Sequence, residues 1–537
     1  MKSATQLTNG SLMNLGSQES LLAAMLRPDF YPKPPTQVTH RETHISHLFF
    51  AGELVYKVKK AVRYSFLDYS TLAKRRHFLQ EELRLNQRLA PSVYLAVMPI
   101  AFDGSAWRLG GWAEPGEYTL VMRRLPERRM LPFLLKTHQA TPAMMHELAA
   151  AVARFHAAAQ PIEGLEPRRY LESLEGQWME NLADIEPFVG SLFDRDSYEA
   201  IKLYGTDFLR QQGHLLMQRV AQGWIREVHG DLHCEHICFA PEGIQIFDCI
   251  EFSARLRRCD LAAEIAFLVM DLEARGAQEL ATVLLKRYAE LMSDIELPVL
   301  LPFGKCYRAL VRAKVYGLRE HAAHAEAVGY FRYANRVAWQ SIPPYLIMVC
   351  GLTGSGKSTL ARALGERLGL AVVNSDAVRK AIAGKLGRQN LPFKSGIYSA
   401  TMTERAYARM AREAEKLLQE GRATILDATF IRRAHRERIV KLAERAKVPL
   451  LVIHLSASEA ATENRLSRRY AEGKDISDGR WEVFLQQKKI FEPLAEIPST
   501  FCLELSTEAP LDRLISDCEK FVRRRMAARR ALISEIA

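Results

Sequence analysis

Gly351, Leu352, Thr353, Gly354, Ser355, Gly356, Lys357 and Ser358 fit the spacing G-x4-G-K-[ST], and Thr359 follows. Those residue types in that order have a definite use. The glycines let successive backbone N–H groups curl around phosphate oxygens, the lysine reaches the distal phosphates, and the hydroxyl ligates magnesium. The setting strengthens the reading, because the run follows LIMVC, which reads as a buried strand, and opens the helical TLARALGERLG. A merely structural glycine-rich turn needs neither Lys357 nor Ser358.

Further groups suited to phosphoryl transfer follow along the chain. Asp376, in NSDAVRK at the end of a second strand-like run, is placed to accept a proton from an attacking hydroxyl, and Arg379 to hold a substrate anion. Asp427, in LDATF at the end of a third, supports magnesium or substrate. Arg465 and Arg469, in ENRLSRR, form a guanidinium ridge able to clamp a transferring phosphoryl group.

A second constellation precedes these. Val228-His229-Gly230-Asp231-Leu232-His233 is followed by IQIFDCIEF, so Asp231 and Asp248 sit at the ends of two short strands. Such a pair suits a hydroxyl-proton acceptor and a metal-binding carboxylate. Cys234, Cys238, Cys249 and Cys259 lie among His229, His233 and His236, but the paired C-x2-C spacing of zinc modules is missing, so no zinc is expected.

The elements that position these residues are readable from hydrophobic pattern. THISHLFF and LVYKVKK alternate as two strands, KRRHFLQEELRLNQRLA reads as a helix, and VYLAVMPI and YTLVMRRL as further strands. From Pro142 the pattern is mainly helical. After Pro343-Pro344, strand-like LIMVC, AVVNS, TILDA and LLVIHL alternate with helices, as in a parallel α/β sheet. The expected organisation is a flexible N-terminus over 1–24, one domain over 25–340 and a second over 345–537.

Composition agrees with two globular units. The 537 residues are 48% hydrophobic and 25% charged, and no apolar run is long enough to span a membrane, so a cytoplasmic protein with no membrane partner is expected. Net charge is +12, of which +11 falls after residue 344. That excludes an acidic solubiliser and keeps nucleic acid open as a partner.

The second half resembles the P-loop kinases that include gluconate kinase, chloramphenicol phosphotransferase, zeta toxins and phage polynucleotide kinase. The likeness rests on the 351–358 loop, SDAVRK, LDATF and ENRLSRR. It implies ATP and Mg2+ as cofactors, Asp376 as general base, Arg379 as substrate-orienting, and Arg465 and Arg469 as lid residues. The first half resembles the aminoglycoside phosphotransferase family through HGDLH, FDCIEF and CDLA. By that resemblance Asp231 is the catalytic base and Asp248 a metal ligand. Lys57 binds the α/β-phosphates and pairs with Glu82, and Leu120–Arg124 cradles adenine. Lys59, on the same strand face, is the alternative to Lys57. His236 stands where that family has a metal-binding asparagine.

The fold expectation is therefore an α+β, bilobal, protein-kinase-like domain followed by an α/β P-loop NTPase domain with a parallel sheet. The functional expectation is an ATP- and Mg2+-dependent phosphotransferase acting on a hydroxyl-bearing small molecule. Two alternatives stay open at this stage: a polynucleotide 5′-hydroxyl kinase, and a P-loop kinase regulated by an N-terminal pseudokinase.

Overall fold

The structure, a computed structural model, describes residues 12–64, 67–110, 113–319, 321–384, 396–472 and 480–536. Packing divides the chain into two compact units, residues 1–177 with 208–309, and residues 178–207 with 310–537. The sequence seam at 340–345 marks entry into the parallel sheet, but the unit built on that sheet also takes in 178–207 and 310–340. Side-chain contacts explain the assignment. Phe193 stacks on Phe331 at 4.4 Å, Asn335 donates to the Arg367 carbonyl at 3.2 Å, and Arg367 pairs with Asp194.

The first unit is founded on an antiparallel sheet. Its strands are β1 (Val38–Glu42), β2 (Ser46–Ala51), β3 (Leu54–Lys59), β4 (Tyr94–Phe102), β5 (Trp107–Leu109) and β6 (Pro115–Arg123), in the order β1-β2-β3-β6-β4-β5. Alternation along β3 sends Tyr56 and Val58 into a cluster with Phe49, Ile100 and Val121. It leaves Lys57 and Lys59 to meet Glu82 on the helix Leu72–Asn86. The N-terminus departs from expectation, because the helix Leu12–Met25 buries Leu21 and Met25 in that same cluster. Their spacing of four puts them on one helix face, which is why this end packs rather than frays; residues 1–11 lie outside the described residues. Beyond the sheet come β7 (Ile225–Glu227), β8 (Ile237–Ala240), β9 (Gly243–Ile246) and β10 (Arg258–Asp260), paired as two ribbons, β8-β9 and β7-β10.

The second unit carries β11 (Leu346–Cys350), β12 (Ala371–Asn374), β13 (Thr424–Asp427), β14 (Leu450–Ser456) and β15 (Cys502–Ser506). All neighbours are parallel, in the order β12-β13-β11-β14-β15. Both faces are covered, as parallel sheets require. Ile347 and Val349 pack with Leu360 and Leu364 on one side, while Leu346, Met348 and Cys350 pack with Met410 and Ile439 on the other. The expected α/β P-loop architecture is present. Among the described residues no helix is long and apolar enough to cross a membrane.

One buried group sets an acid limit on the first unit. His156 is fully buried, bonds the Tyr288 hydroxyl at 2.7 Å, and is pushed down to about 3 by burial and then by Arg226. An unfolded histidine titrates near 6.5, so below that value the unfolded chain binds the extra proton. The stability this histidine carries is intact above pH ~6.5 and falls by about 1.4 kcal/mol per pH unit below it. His156→Gln is expected to flatten the decline of the urea-unfolding midpoint between pH 6.5 and 4.5; an unchanged slope contradicts this.

Candidate functional site

In the second unit β11 runs straight into the phosphate-loop sequence. Gly351 has φ +141°, and a Cβ there would lie 2.3 Å from the Leu455 carbonyl oxygen, so only glycine lets the chain turn. Gly356, at φ +87°, caps the helix Lys357–Leu368. Thr353 N–H donates to Gln487 Oε1 at 2.8 Å, which ties the loop to the helix Trp481–Ile490. Lys357 Nζ donates to the Leu352 carbonyl at 2.6 Å. Burial lowers the pKa of this lysine, against the opposing pull of Asp427 and Asp376.

One amide joins three parts of the site. Asn374 Nδ2 donates to Asp427 Oδ2 at 2.6 Å and lies 3.5 Å from Ser358 Oγ, while its Oδ1 accepts from the N–H groups of Asp376 and Ala377. The parallel register makes this possible by setting Asn374 directly beside Asp427. Asn374 thus caps the helix Ser375–Ala383 and fixes Asp376 in its first turn. Burial raises the Asp427 carboxyl, and Lys357 opposes that rise. Ser358 and Asp427 present hard oxygens side by side, the donor set that Mg2+ accepts.

A cavity of about 520 Å³ begins at Gly354, Gly356, Lys357 and Ser358 and passes Asp376 and Asp427. Its lining also includes Arg379, Tyr398, Glu404, Tyr407 and His435. Arg379 pairs with Asp376 and lies over the Tyr398 ring at 4.8 Å; its buried Nε has no hydrogen-bond partner among the described residues. His435 Nε2 meets Glu404 at 2.6 Å, and the His435 ring stacks on Tyr407. Arg469 lines the cavity but Arg465 does not. The Arg465 guanidinium donates to Thr507 Oγ1 and to the Thr507 carbonyl, both at 2.7 Å, so it braces the turn after β15 instead of facing the cavity. Leu352, Ser355 and Thr359 also stay outside the lining, Thr359 being exposed on the helix surface.

In the first unit the glutamate between the two lysines is shared. Glu82 takes Lys57 on Oε1 at 2.6 Å and Lys59 on Oε2 at 2.9 Å, and both Glu82 and Lys59 are completely buried. Glu251 pairs with Lys59 and accepts from the Tyr69 hydroxyl, so it serves this buried network and does not face the Asp231 loop. Lys57 alone reaches onward, to Asp248 Oδ1 at 3.2 Å. Desolvation raises the Asp248 carboxyl, but Lys57 and His236 outweigh it and hold the group well below the usual carboxylate range.

The Asp231 loop is suspended from the helix Leu261–Ala274. Glu264 accepts from the N–H groups of His229 and Gly230, Asp271 accepts from Cys234 N–H, and Arg308 donates to the Gly230 carbonyl. Asp231, His233 and His236 bring ligand-type atoms within 4.8 Å of one another. Cys234, Cys238 and Cys249 are buried and lie outside that group.

Comparison with known proteins adds a relationship. The profile of the AAA domain family matches residues 346–494. The Uncharacterized protein Rv2004c of Mycobacterium tuberculosis (strain ATCC 25618 / H37Rv) is 32% identical over 396 residues, covering 73% of this chain and 78% of that protein. The Uncharacterized protein Mb2027c of Mycobacterium bovis matches to the same extent. The chain belongs to the family of these mycobacterial proteins. The shared stretch is longer than everything after residue 345, so the kinship includes much of the first unit. Among solved structures, a putative kinase from Chloroflexus aurantiacus is 22% identical, covering 34% of this chain and 98% of that one, at TM-score 0.28. A gluconokinase from Sinorhizobium meliloti is 20% identical, covering 34% and 95%, at TM-score 0.26.

Asn374 is the residue whose loss tests how the site is held. Asn374→Ala removes a helix cap worth about 1 kcal/mol and a charged hydrogen bond worth about 2 kcal/mol. The expected outcome in urea unfolding of the second unit is a loss near their sum. Asn374→Asp keeps the cap, sets a carboxylate against Asp427, and is expected to recover less than half of that loss.

Proposed function

We propose that the chain is an ATP- and Mg2+-dependent phosphotransferase whose second unit transfers the γ-phosphate of ATP to a hydroxyl of a small molecule. The observation that carries this reading is the single cavity in which Lys357, Ser358, Asp427 and Asp376 converge at the carboxyl ends of parallel strands. The Gly351–Ser358 loop holds the phosphates, Ser358 and Asp427 hold Mg2+, Asp376 takes the proton of the acceptor hydroxyl, and Arg469 faces the transferring group. Mg2+ at that position neutralises phosphate charge and orients the γ-phosphoryl group. Asp427 belongs with the metal in this reading, because its neighbours are Ser358, Asn374 and Lys357.

The cavity lining favours a small acceptor over a polynucleotide. Beside Arg379 and Arg432 the walls are Tyr398, Tyr407, His435 and the Glu404 carboxylate held by His435 and Arg438, an aromatic lining with a few polar groups rather than the run of cations a phosphate chain needs. Several arginines of this unit are already engaged by carboxylates, as in Arg432–Glu492, Arg433–Glu437, Arg436–Glu496 and Arg438–Glu404. The first unit is read as a second, aminoglycoside-phosphotransferase-like nucleotide site, with Lys57 on the α/β-phosphates, Asp248 and His236 toward metal, and Asp231 as base.

A transfer screen with γ-labelled ATP across hydroxyl-bearing metabolites, aminoglycosides and 5′-hydroxyl oligonucleotides tests the proposal. Label is expected on a small molecule. Lys357→Ala is expected to lower transfer by at least ~100-fold, and Asp376→Asn to lower kcat by about 100- to 10,000-fold with little change in KM for ATP. Transfer that survives Lys357→Ala and disappears in Asp231→Asn would instead assign the reaction to the first unit.

A further inference from the structure

We infer that the first unit holds a second ligand site, apart from the cleft of Asp231 and Asp248, that takes a small monovalent carboxylate with a short apolar body. The site is a pocket of about 60 Å³ whose wall includes Tyr170, Leu256, Arg258, Asp260, Tyr307 and Arg308. All of it lies within the first unit, and neither Asp231 nor Asp248 lines it.

Two buried groups in this wall are donors in want of an acceptor. Arg308 keeps only 10% of its side chain accessible and uses Nη1 on the Gly230 carbonyl at 3.0 Å. Its Nε has no hydrogen-bond partner among the described residues, and its Nη2 stays 4.0 Å from the Glu264 carboxylate, beyond hydrogen-bond reach. The Tyr170 hydroxyl accepts the Asp260 N–H at 3.3 Å, and its own hydrogen has no acceptor among the described residues. Buried polar groups are ordinarily satisfied, so such a pair calls for an oxygen ligand. The wall's one acid among the described residues cannot supply it, because Asp260 gives its two oxygens to Arg219 and to the Ala262 N–H.

Charge and size narrow the occupant. Glu264 answers the charge of Arg308, whereas Arg258 makes no ion pair among the described residues, so one positive charge is left over for a monovalent anion. Leu174, Leu216, Leu300 and Phe303 make much of the remaining wall apolar, which suits an alkyl body better than a fully hydrated phosphate. The volume is less than half of the ~150 Å³ that admits a benzene ring, which keeps that body to a few carbons. Occupancy bears on the neighbouring loop through two contacts. Arg308 holds the Gly230 carbonyl, and the Leu256 carbonyl lies 3.1 Å from where a Cβ on Gly230 would stand. An acid drawn to Arg308 therefore steadies the loop that carries Asp231. Its effect on catalysis rests on the phosphotransfer reading of this unit, but its binding does not.

Trifluorobutyrate, titrated into the nucleotide-free full-length chain and followed by fluorine NMR, tests the site. Wild type is expected to bind it saturably, with equimolar inorganic phosphate failing to displace it. Arg258→Gln, at an exposed position, and Tyr170→Phe are each expected to weaken binding by at least ~5-fold, through loss of a hydrogen bond to a charged group. Hydrogen–deuterium exchange of wild type locates the ligand without any variant: saturating trifluorobutyrate is expected to slow exchange across Val228–His236 and leave Gly351–Ser358 unchanged. No saturable binding, displacement by phosphate, unchanged affinity in either variant, or unaltered exchange across Val228–His236 would overturn the inference. No ATP turnover enters the readout, so failure of the phosphotransfer reading would show separately.

Discussion

The carbonyl oxygen of Leu455 leaves no room for a side chain at residue 351. This contact sits where the central strand of a fully covered parallel sheet has to end and release its chain. β11 is buried on both faces, so its exit is fixed by β13 on one side and β14 on the other. Only a glycine at a positive φ can turn there, and the turn delivers Lys357 and Ser358 to the carboxyl ends of the strands. The same parallel register sets Asn374 beside Asp427, and through Asn374 the position of Asp376 is fixed as well. The Gly351–Ser358 loop, Asp427 and Asp376 are thus positioned by one packing arrangement.

The first unit uses charge where the second uses sterics. Glu82 divides its two oxygens between Lys57 and Lys59, and Lys59 is held in turn by Glu251, within hydrogen-bond reach of Tyr69. Burying a lone carboxylate or ammonium would be costly, so each member is retained by the others. The outcome is a lysine, Lys57, presented to Asp248 from a rigid strand. On the opposite side of that carboxylate, the Asp231 loop hangs from Glu264 and Asp271 on one helix.

Much of this was legible in residue order. The loop at 351–358, the strand that ends just before Asp376 and the strand that ends in Asp427, the two lysines on one face of β3 and the paired Asp231 and Asp248 all follow from spacing and alternation. What escaped depends on partners distant in sequence. Gln487 carries no local mark of its bond to Thr353, and Arg465 reads as a member of a basic ridge until Thr507 is seen beneath it. Asn374 did carry a signal, being a capping residue type immediately before a helix. β1 escaped as an edge strand whose VTHRE sequence is largely exposed, and the N-terminal helix because the Ser-, Asn-, Gln- and Gly-rich residues before and around its first half masked the spacing of Leu21 and Met25. The extent of the second unit was hidden for a similar reason: prolines mark where a chain turns, but contacts such as Phe193 with Phe331 decide which helices a sheet gathers.

The central claim is that the Gly351–Ser358 loop is a nucleotide-phosphate cradle. Isothermal titration of a non-hydrolysable ATP analogue with Mg2+ into the full-length Lys57→Ala chain, which lacks the lysine proposed to hold phosphates in the first unit, probes this loop alone. One analogue is expected per chain, with binding abolished when Lys357→Ala is added. Undiminished binding in the double variant would contradict it.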